Sequence, residues 1–382
     1  MKSILRIVAA LVLVAGMSVA GASSAQASSP KWLSLAGGQA HTCGIRTDHS
    51  LYCWGYNAQG QLGIGNTSPA PAPQQVGFSK SWASVSAGTF HTCAIRTSGA
   101  LYCWGHNAYG QLGTGNTTEQ LQPTRVGTST SWKSVRAGSF HTCATHASGS
   151  VYCWGSNGNG QVGDGTTINR ATPKKVGAST SWTSVDAGGD HTCARHSSGS
   201  IYCWGHNFNG ELGVGDTNDR LTPRKVGTST SWTNFNLGYS HTCARHSSGA
   251  LYCWGYGDDG ELGNGGTSNH MKPTKVGSST SWISSTSGDD QTCARHHSGA
   301  MYCWGYNGYG QVGDGTTVNR LKPTKVGTFT NWTMVAAAGG HTCALNTSGY
   351  AYCWGRNDDG DLGDGTNDDR NTPTKITAIA TG

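Results

Sequence analysis

Every cysteine and every tryptophan of this 382-residue chain falls on a fifty-residue grid. The 14 Cys stand at 43, 93, 143, 193, 243, 293 and 343, and again at 53, 103, 153, 203, 253, 303 and 353. The 14 Trp run from 32 to 332 and from 54 to 354 in the same steps, with no insertion anywhere. A constant period of this size marks an array of one supersecondary unit packed on copies of itself. It overrides the two or three domains that length alone suggests. Seven copies, starting near 32, 82, 132, 182, 232, 282 and 332, fill the chain to residue 382.

Composition narrows the class further. Glycine, 58 residues, is about one in seven, roughly twice ordinary usage, but lacks the Gly-X-Y period of collagen. Charged residues at 12% with 14 Trp and 14 Tyr exclude a disordered chain, because so much aromatic surface must be buried. A net charge of +6 is too mild for a dedicated nucleic-acid binder.

The start reads as an export signal. Lys2 and Arg6 precede an apolar stretch from Ile7 to Val19, and Ala25-Gln26-Ala27 fits a cleavage site. Gly16 and Ser18 interrupt the stretch, which is short for a membrane anchor. The expected division is a signal peptide over 1–27 and a mature domain over 28–382, secreted to the extracellular space with no membrane contact. Removing Lys2 and Arg6 takes the net charge from +6 to +4.

One copy shows the local structure. Residues 82–87 read as a short strand ended by Gly88. Residues 91–95 and 100–104 are two more strands, joined through Thr97-Ser98-Gly99 in a three-residue hairpin loop with Gly in the left-handed position. Gly105 to Gly115 (GHNAYGQLGTG) reads as a structured loop. Pro123 then opens a final edge-type strand over 124–126. Cys93, Ile95, Leu101 and Cys103 share one hairpin face, and Tyr102 and Trp104 the other. Both faces are apolar, which suits a sheet held between two neighbours. Four short strands per copy predict an all-β, seven-bladed β-propeller closed on itself. An open solenoid would need atypical end copies, and these are regular.

In an exported protein, a C-x9-C pair across a hairpin reads as a disulfide. Zinc is the rival, since His91 lies two residues before Cys93, but seven identical zinc sites suit an oxidising compartment poorly. The expected bridges are Cys43–Cys53, Cys93–Cys103, Cys143–Cys153, Cys193–Cys203, Cys243–Cys253, Cys293–Cys303 and Cys343–Cys353, with no metal.

The repeat Ala87-Gly88-x-x-His91-Thr92-x-Ala94, followed by Leu101-Tyr102-x-Trp104-Gly105-x-Asn107-x-x-Gly110-Gln111-Leu112-Gly113-x-Gly115, resembles the regulator of chromosome condensation repeat family. The likeness covers the whole mature chain. It implies a seven-bladed β-propeller. Gln291 in place of His, Gly257 in place of Asn and Ala338 in place of Gly depart from the pattern. The eukaryotic namesake, a nuclear guanine-nucleotide exchange factor that binds chromatin, implies an activity this chain fits poorly: it has an export signal, no basic arm and no wedge-like insertion. A secreted bacterial β-lactamase inhibitory protein built from the same repeats is the nearer functional analogue.

Catalysis needs unlike residues converging once, whereas the polar residues here recur sevenfold. The six histidines at 41, 91, 141, 191, 241 and 341 read as structural groups bonded to backbone. The glycine loops lack the Lys-Ser/Thr of a phosphate-binding loop. Asp358, Asp359, Asp361, Asp364, Asp368 and Asp369, with Asp258, Asp259 and Glu261 in a related place, lack the spacing of an EF-hand loop and read as solvated charge; calcium is the open alternative. No enzyme activity and no cofactor are expected.

What varies between copies points to a partner. The loop before the second strand and the loop after the third should emerge at one rim of the ring. They carry Tyr56, Phe90, His106, Tyr109, Phe140, His206, Phe208, Tyr239, Tyr256, Tyr306, Tyr309 and Arg356. Exposed Tyr and Arg are common interface anchors. The expected function is a monomeric, secreted, non-enzymatic scaffold whose rim engages an extracellular protein, an enzyme to be inhibited being one such partner. A carbohydrate or cell-wall binder is the alternative; it would need the same rim residues in every copy.

Overall fold

The computed structural model describes residues 31–376. The signal read over 1–27 lies outside the described residues, as do 28–30 and 377–382. Among the described residues there is no helix. Twenty-eight strands form seven antiparallel four-stranded sheets, each in consecutive order, the blades of a seven-bladed β-propeller.

Blade two contains Trp82–Ala87, His91–Arg96, Leu101–Gly105 and Gln120–Arg125. The hairpin register sets Cys93 opposite Cys103 and Ile95 opposite Leu101. Gly99 turns the hairpin with φ 78°. In blade one the corresponding residue is His49, the one non-glycine residue with positive φ among the described residues (62°). The outer strand differs from the expectation. It starts at Gln120, before Pro123, and not at Thr124. Thr124 pairs with Cys103, and the register then slips so that Gln120 pairs with Gly105. The proline sits in the slipped stretch, where a missing N–H leaves no ladder bond unmade.

Seven disulfides form, one per blade, with no free cysteine. Each bridge is fully buried and faces the next blade, so the core lies between blades. Cys93, Ile95, Leu101, Cys103, Leu112 and Val126 of blade two pack on Trp132, Val135, Ala144 and Trp154 of blade three. Trp32, Leu35 and Trp54 pack likewise on Ala336, Leu345, Leu362 and Ile376, so the first blade closes on the seventh. The closing blade is built from its own four strands, Trp332–Ala337, His341–Asn346, Ala351–Gly355 and Arg370–Lys375. The first strands of the blades line a central channel of about 390 Å³.

The repeated histidines are structural, but their partner is not backbone as expected. His41 Nε2 meets Thr92 Oγ1 of the next blade at 2.9 Å. Thr92 donates its only hydroxyl proton to the Gln61 carbonyl (2.8 Å), which also accepts from Trp104 Nε1 (2.9 Å). The threonine oxygen therefore accepts from the histidine, which fixes the Nε2–H tautomer. The latch recurs from His91 to Thr142, His141 to Thr192, His191 to Thr242 and His241 to Thr292. Gln291 breaks the series, donating instead to the carbonyls of Ala338 and His341.

Candidate functional rim

The long loop after each third strand is tied by its asparagine. Asn107 is fully buried; its Nδ2 donates to the carbonyls of Asn116 and Thr118, and its Oδ1 accepts from Leu112 N–H. Gly113 (φ 72°) must be glycine because a Cβ there would stand 2.6 Å from Trp154 Nε1 of the next blade. In blade five Gly257 replaces the asparagine and Leu262 occupies the vicinity.

Backbone bonds join this loop to the one before the second strand. His106 N–H donates to the Phe90 carbonyl (2.9 Å), Tyr56 N–H to Ala40, and Tyr306 N–H to Asp290. Both loops therefore share one rim. Across blades one to three they bring Tyr56, Phe90, His106, Tyr109 and Phe140 into a continuous aromatic cluster. Its centroid distances are 6.1 Å for Tyr56–Phe90, 6.3 Å for Phe90–Phe140, 5.9 Å for His106–Phe140 and 5.4 Å for Tyr109–Phe140. A second group joins Tyr306 to Tyr309 (6.0 Å), with the Arg356 guanidinium 5.5 Å above Tyr309. Phe208, at 75% the most exposed of the rim residues, stacks on no other ring among the described residues; Tyr239 lies at the channel mouth and Tyr256 among acidic residues.

Beneath the rim lies a buried position whose burial sequence reasoning missed: Gln61, Gln111, Gln161, Glu211, Glu261, Gln311 and Asp361. Its signal was available, as GQ in four copies changes to GE or GD in three. In six of the seven blades this side chain supports the loop above it, as when Gln111 Oε1 accepts from Tyr109 N–H, whereas Asp361 Oδ1 has no partner. Gln111 Nε2 also donates to His106 Nδ1, and burial lowers the His106 pKa. Glu211 instead accepts from His206 Nδ1, a bond that raises the His206 pKa. Gln161 donates to Asp190 (2.9 Å) and to Ser156 (3.3 Å).

The acidic loop is only in part the solvated charge expected: Asp358, Asp368 and Asp369 are exposed, but Asp361 and Asp364 are drawn into the structure. Asp361 is buried, and burial pushes its carboxyl up to about 7. Asp364 pairs with Arg370 at 3.1 Å, accepts from Thr366, and has a pKa lowered by those contacts despite burial. Asp358 pairs with Arg356, and Asp369 accepts from Asn357 N–H. Among the described residues, no group of three or more His, Cys, Asp or Glu is arranged to hold a metal ion.

The sequence matches the RCC1-like domain over residues 20–287 and the regulator of chromosome condensation (RCC1) repeat over 298–345 and 348–381. A comparison with curated proteins gave no match. Among solved structures, Prp20p from Saccharomyces cerevisiae, described with its binding to Gsp1p and histones, is similar at 22% identity and TM-score 0.79, covering 88% of this chain and 88% of its own. Yeast RCC1 (Prp20) bound to Kap60 aligns at 23% identity and TM-score 0.77, over 86% of this chain and 84% of its own. Human WBSCR16 aligns at 20% identity and TM-score 0.77, over 86% and 94%. These likenesses show the fold.

Proposed function

This chain belongs to the RCC1-like propeller family, and from that premise we propose that it is a secreted, non-enzymatic binding protein that engages an extracellular protein through one rim of the ring. The observation that carries this reading is the cluster of Tyr56, Phe90, His106, Tyr109 and Phe140: several rings in mutual contact, partly open to solvent, on loops held by a disulfide-stapled scaffold. Such anchors lose little conformational entropy on binding and bury large apolar area. Protein binding is also what the yeast relatives' descriptions report, with partners of their own.

Export is supported by the seven disulfides, which suit an oxidising compartment. No helix among the described residues is long and apolar enough to cross a membrane. A non-catalytic role is supported by the use of the repeated histidines as latches between blades. Inhibition of a secreted enzyme is one form the binding would take.

Retention of proteins from culture supernatant on the immobilised propeller tests the reading. A retained protein that is lost when Tyr56, Tyr109 and Phe140 are replaced by serine supports it. Retention indifferent to those changes overturns it.

A second reading, carbohydrate binding, draws on the opposite end of the blades. There Trp232, His246 and Tyr252 of blade five meet edge to face at 5.5 to 6.3 Å beside a pocket of about 260 Å³, and blades three, four and six repeat the trio. Capture by insoluble wall polysaccharide, reversed by free sugar, would favour it.

A further inference from the structure

Comparison of the seven blades isolates one rim site whose buried acid has no cation beside it, since Glu211 has His206 and Asp361 has Arg356 as charged neighbours. In blade three the buried Gln161 donates to Asp190. In blade four the buried Glu211 is paired with His206. In blade five the same position is Glu261, fully buried, and the residue corresponding to Asp190 is Asp290. A carboxylate here stands where an amide donor stands two blades earlier. Glu261 Oε2 accepts from Asp259 N–H (3.1 Å), but Oε1 is buried with no hydrogen-bond partner. A buried oxygen of this kind is rare and costly unless something completes it.

The surroundings deepen the deficit. Asp259 and Asp290 both act on Glu261, and Asp259 also acts on Asp290. The same carboxylates, after burial, raise the phenols of Tyr256 and Tyr306, which places both near the acids. Asp259, Asp290, Tyr256 and Tyr306 are partly open to solvent. Elsewhere Asp164, Asp186, Asp216, Asp314, Asp358 and Asp364 each have an arginine partner. Among the described residues, Asp258, Asp259, Glu261, Asp289 and Asp290 have no salt-bridge partner.

We infer that the acidic cluster of Asp259, Glu261 and Asp290, with Tyr256 and Tyr306 nearby, is the subsite for a basic side chain, lysine or arginine, presented by the protein partner. The inference rests on the rim-binding reading and adds the partner's chemistry. Asp290 and Asp259, whose Oδ1 also accepts from Asn319 Nδ2 at 2.8 Å, are the accessible acceptors, with Glu261 buried beside them. Nearby tyrosine rings suit the alkyl stem and the cationic head. The aromatic cluster of blades one to three and this acidic cluster, on the same rim, then ask for a partner that offers an apolar patch and a cation together. Burial holds the free Glu261 carboxyl up at about 8, and a cation seated on Asp259 and Asp290 would shift it towards the ionised form.

Two measurements test it. The first follows carboxyl carbon signals of labelled aspartate and glutamate during titration with N-acetyl-lysine methylamide and N-acetyl-arginine methylamide. Saturable shifts at Asp259, Asp290 and Glu261 are expected, none with the neutral norleucine analogue, and the Asp259 shift should be lost or much weakened in the Glu261→Gln, Asp290→Asn variant. Glutamine occupies this position in four other blades, so the variant keeps the loop's support. No shift, or an equal shift with the neutral analogue, overturns the inference.

The second selects peptides displayed on phage against the immobilised propeller. Selected peptides should carry lysine or arginine and bind the double variant at least about tenfold more weakly, since a truncated charge pair reduces affinity by that order or more. Peptides that need Tyr109 and Phe140 but ignore Glu261→Gln, Asp290→Asn sink the subsite and leave the rim reading intact. Peptides indifferent to both sets of changes sink both.

Discussion

His341 Nε2 of the seventh blade lies 2.7 Å from Thr42 Oγ1 of the first, and this bond helps to close the ring. Thr42 passes its own proton to the Asp361 carbonyl (2.9 Å), which Trp54 Nε1 also reaches (2.9 Å). The closing seam therefore repeats the internal latch in kind and in length. Five internal seams use histidine in the same way, and only the sixth, at Gln291, uses another donor.

Thr42→Val should loosen that seam. It leaves His341 Nε2–H without an acceptor in a buried place, which costs about 1–3 kcal/mol. Denaturant unfolding should show the loss, and an undiminished midpoint would refute it. His341→Gln should cost less than His341→Ala, because Gln291 already occupies the corresponding position by donating to carbonyls.

Acid should destabilise the ring through these histidines. Burial lowers His41, His91 and His341 to about 3 and His141 and His241 to about 4, with His191 well below its ordinary value. Their folded pKa values lie under the unfolded value of 6.5, so the unfolded chain takes up protons first as pH falls. Their contribution is whole above about pH 6.5 and is lost towards pH 3–4. Glu261 has the opposite sign. Its folded pKa, near 8, exceeds the unfolded value, so its contribution is present in acid and lost as pH rises through about 8. Unfolding midpoints across pH should fall between about 6.5 and 8 in the wild type, and fall less in Glu261→Gln.

Removing one staple should be costly but not fatal. Cys93 and Cys103 face each other with Cα atoms 4.1 Å apart and close a loop of sequence separation 10. A loop that short corresponds to up to ~3 kcal/mol on the chain-entropy account, less where a hairpin already restricts the chain. Replacing both by alanine should lower the unfolding temperature while leaving six bridges. Thiol titration of the unfolded, unreduced wild type should find almost no free thiol.

Histidines at one rim position should titrate apart. His206, held by Glu211, should titrate above the ordinary histidine value, and His106, buried beside Gln111, below it. Proton resonance titration reads both directly. Glu211→Gln should bring His206 down towards His106; a His206 curve unmoved by the change would show that Glu211 is not the cause.

The blade was legible in sequence because its determinants are local or periodic. Alternation along residues 91–104 placed Cys93 opposite Cys103, and the shared side of the two loops followed from strand direction alone. The outer strand was misread at its start, because a proline ends a regular ladder but not a bulged one, and the bulge depends on Gly105 lying opposite Gln120. The burial of Gln61, Glu211, Glu261 and Asp361 was not legible for a related reason. They sit in glycine loops that read as surface, and only the next blade, through Thr92 and Trp104 in the first case, covers them.

What the chain alone determined is the repeat: its period, its strands, its disulfides and the side on which the variable residues emerge. What needed the tertiary structure is every relation across a seam. The histidine latch joins residues fifty-one positions apart, the first blade meets the seventh across nearly the whole chain, and the acidic cluster assembles from neighbouring blades. Local propensity is set within a strand or a turn, whereas burial and charge pairing depend on which strands the closed ring brings face to face.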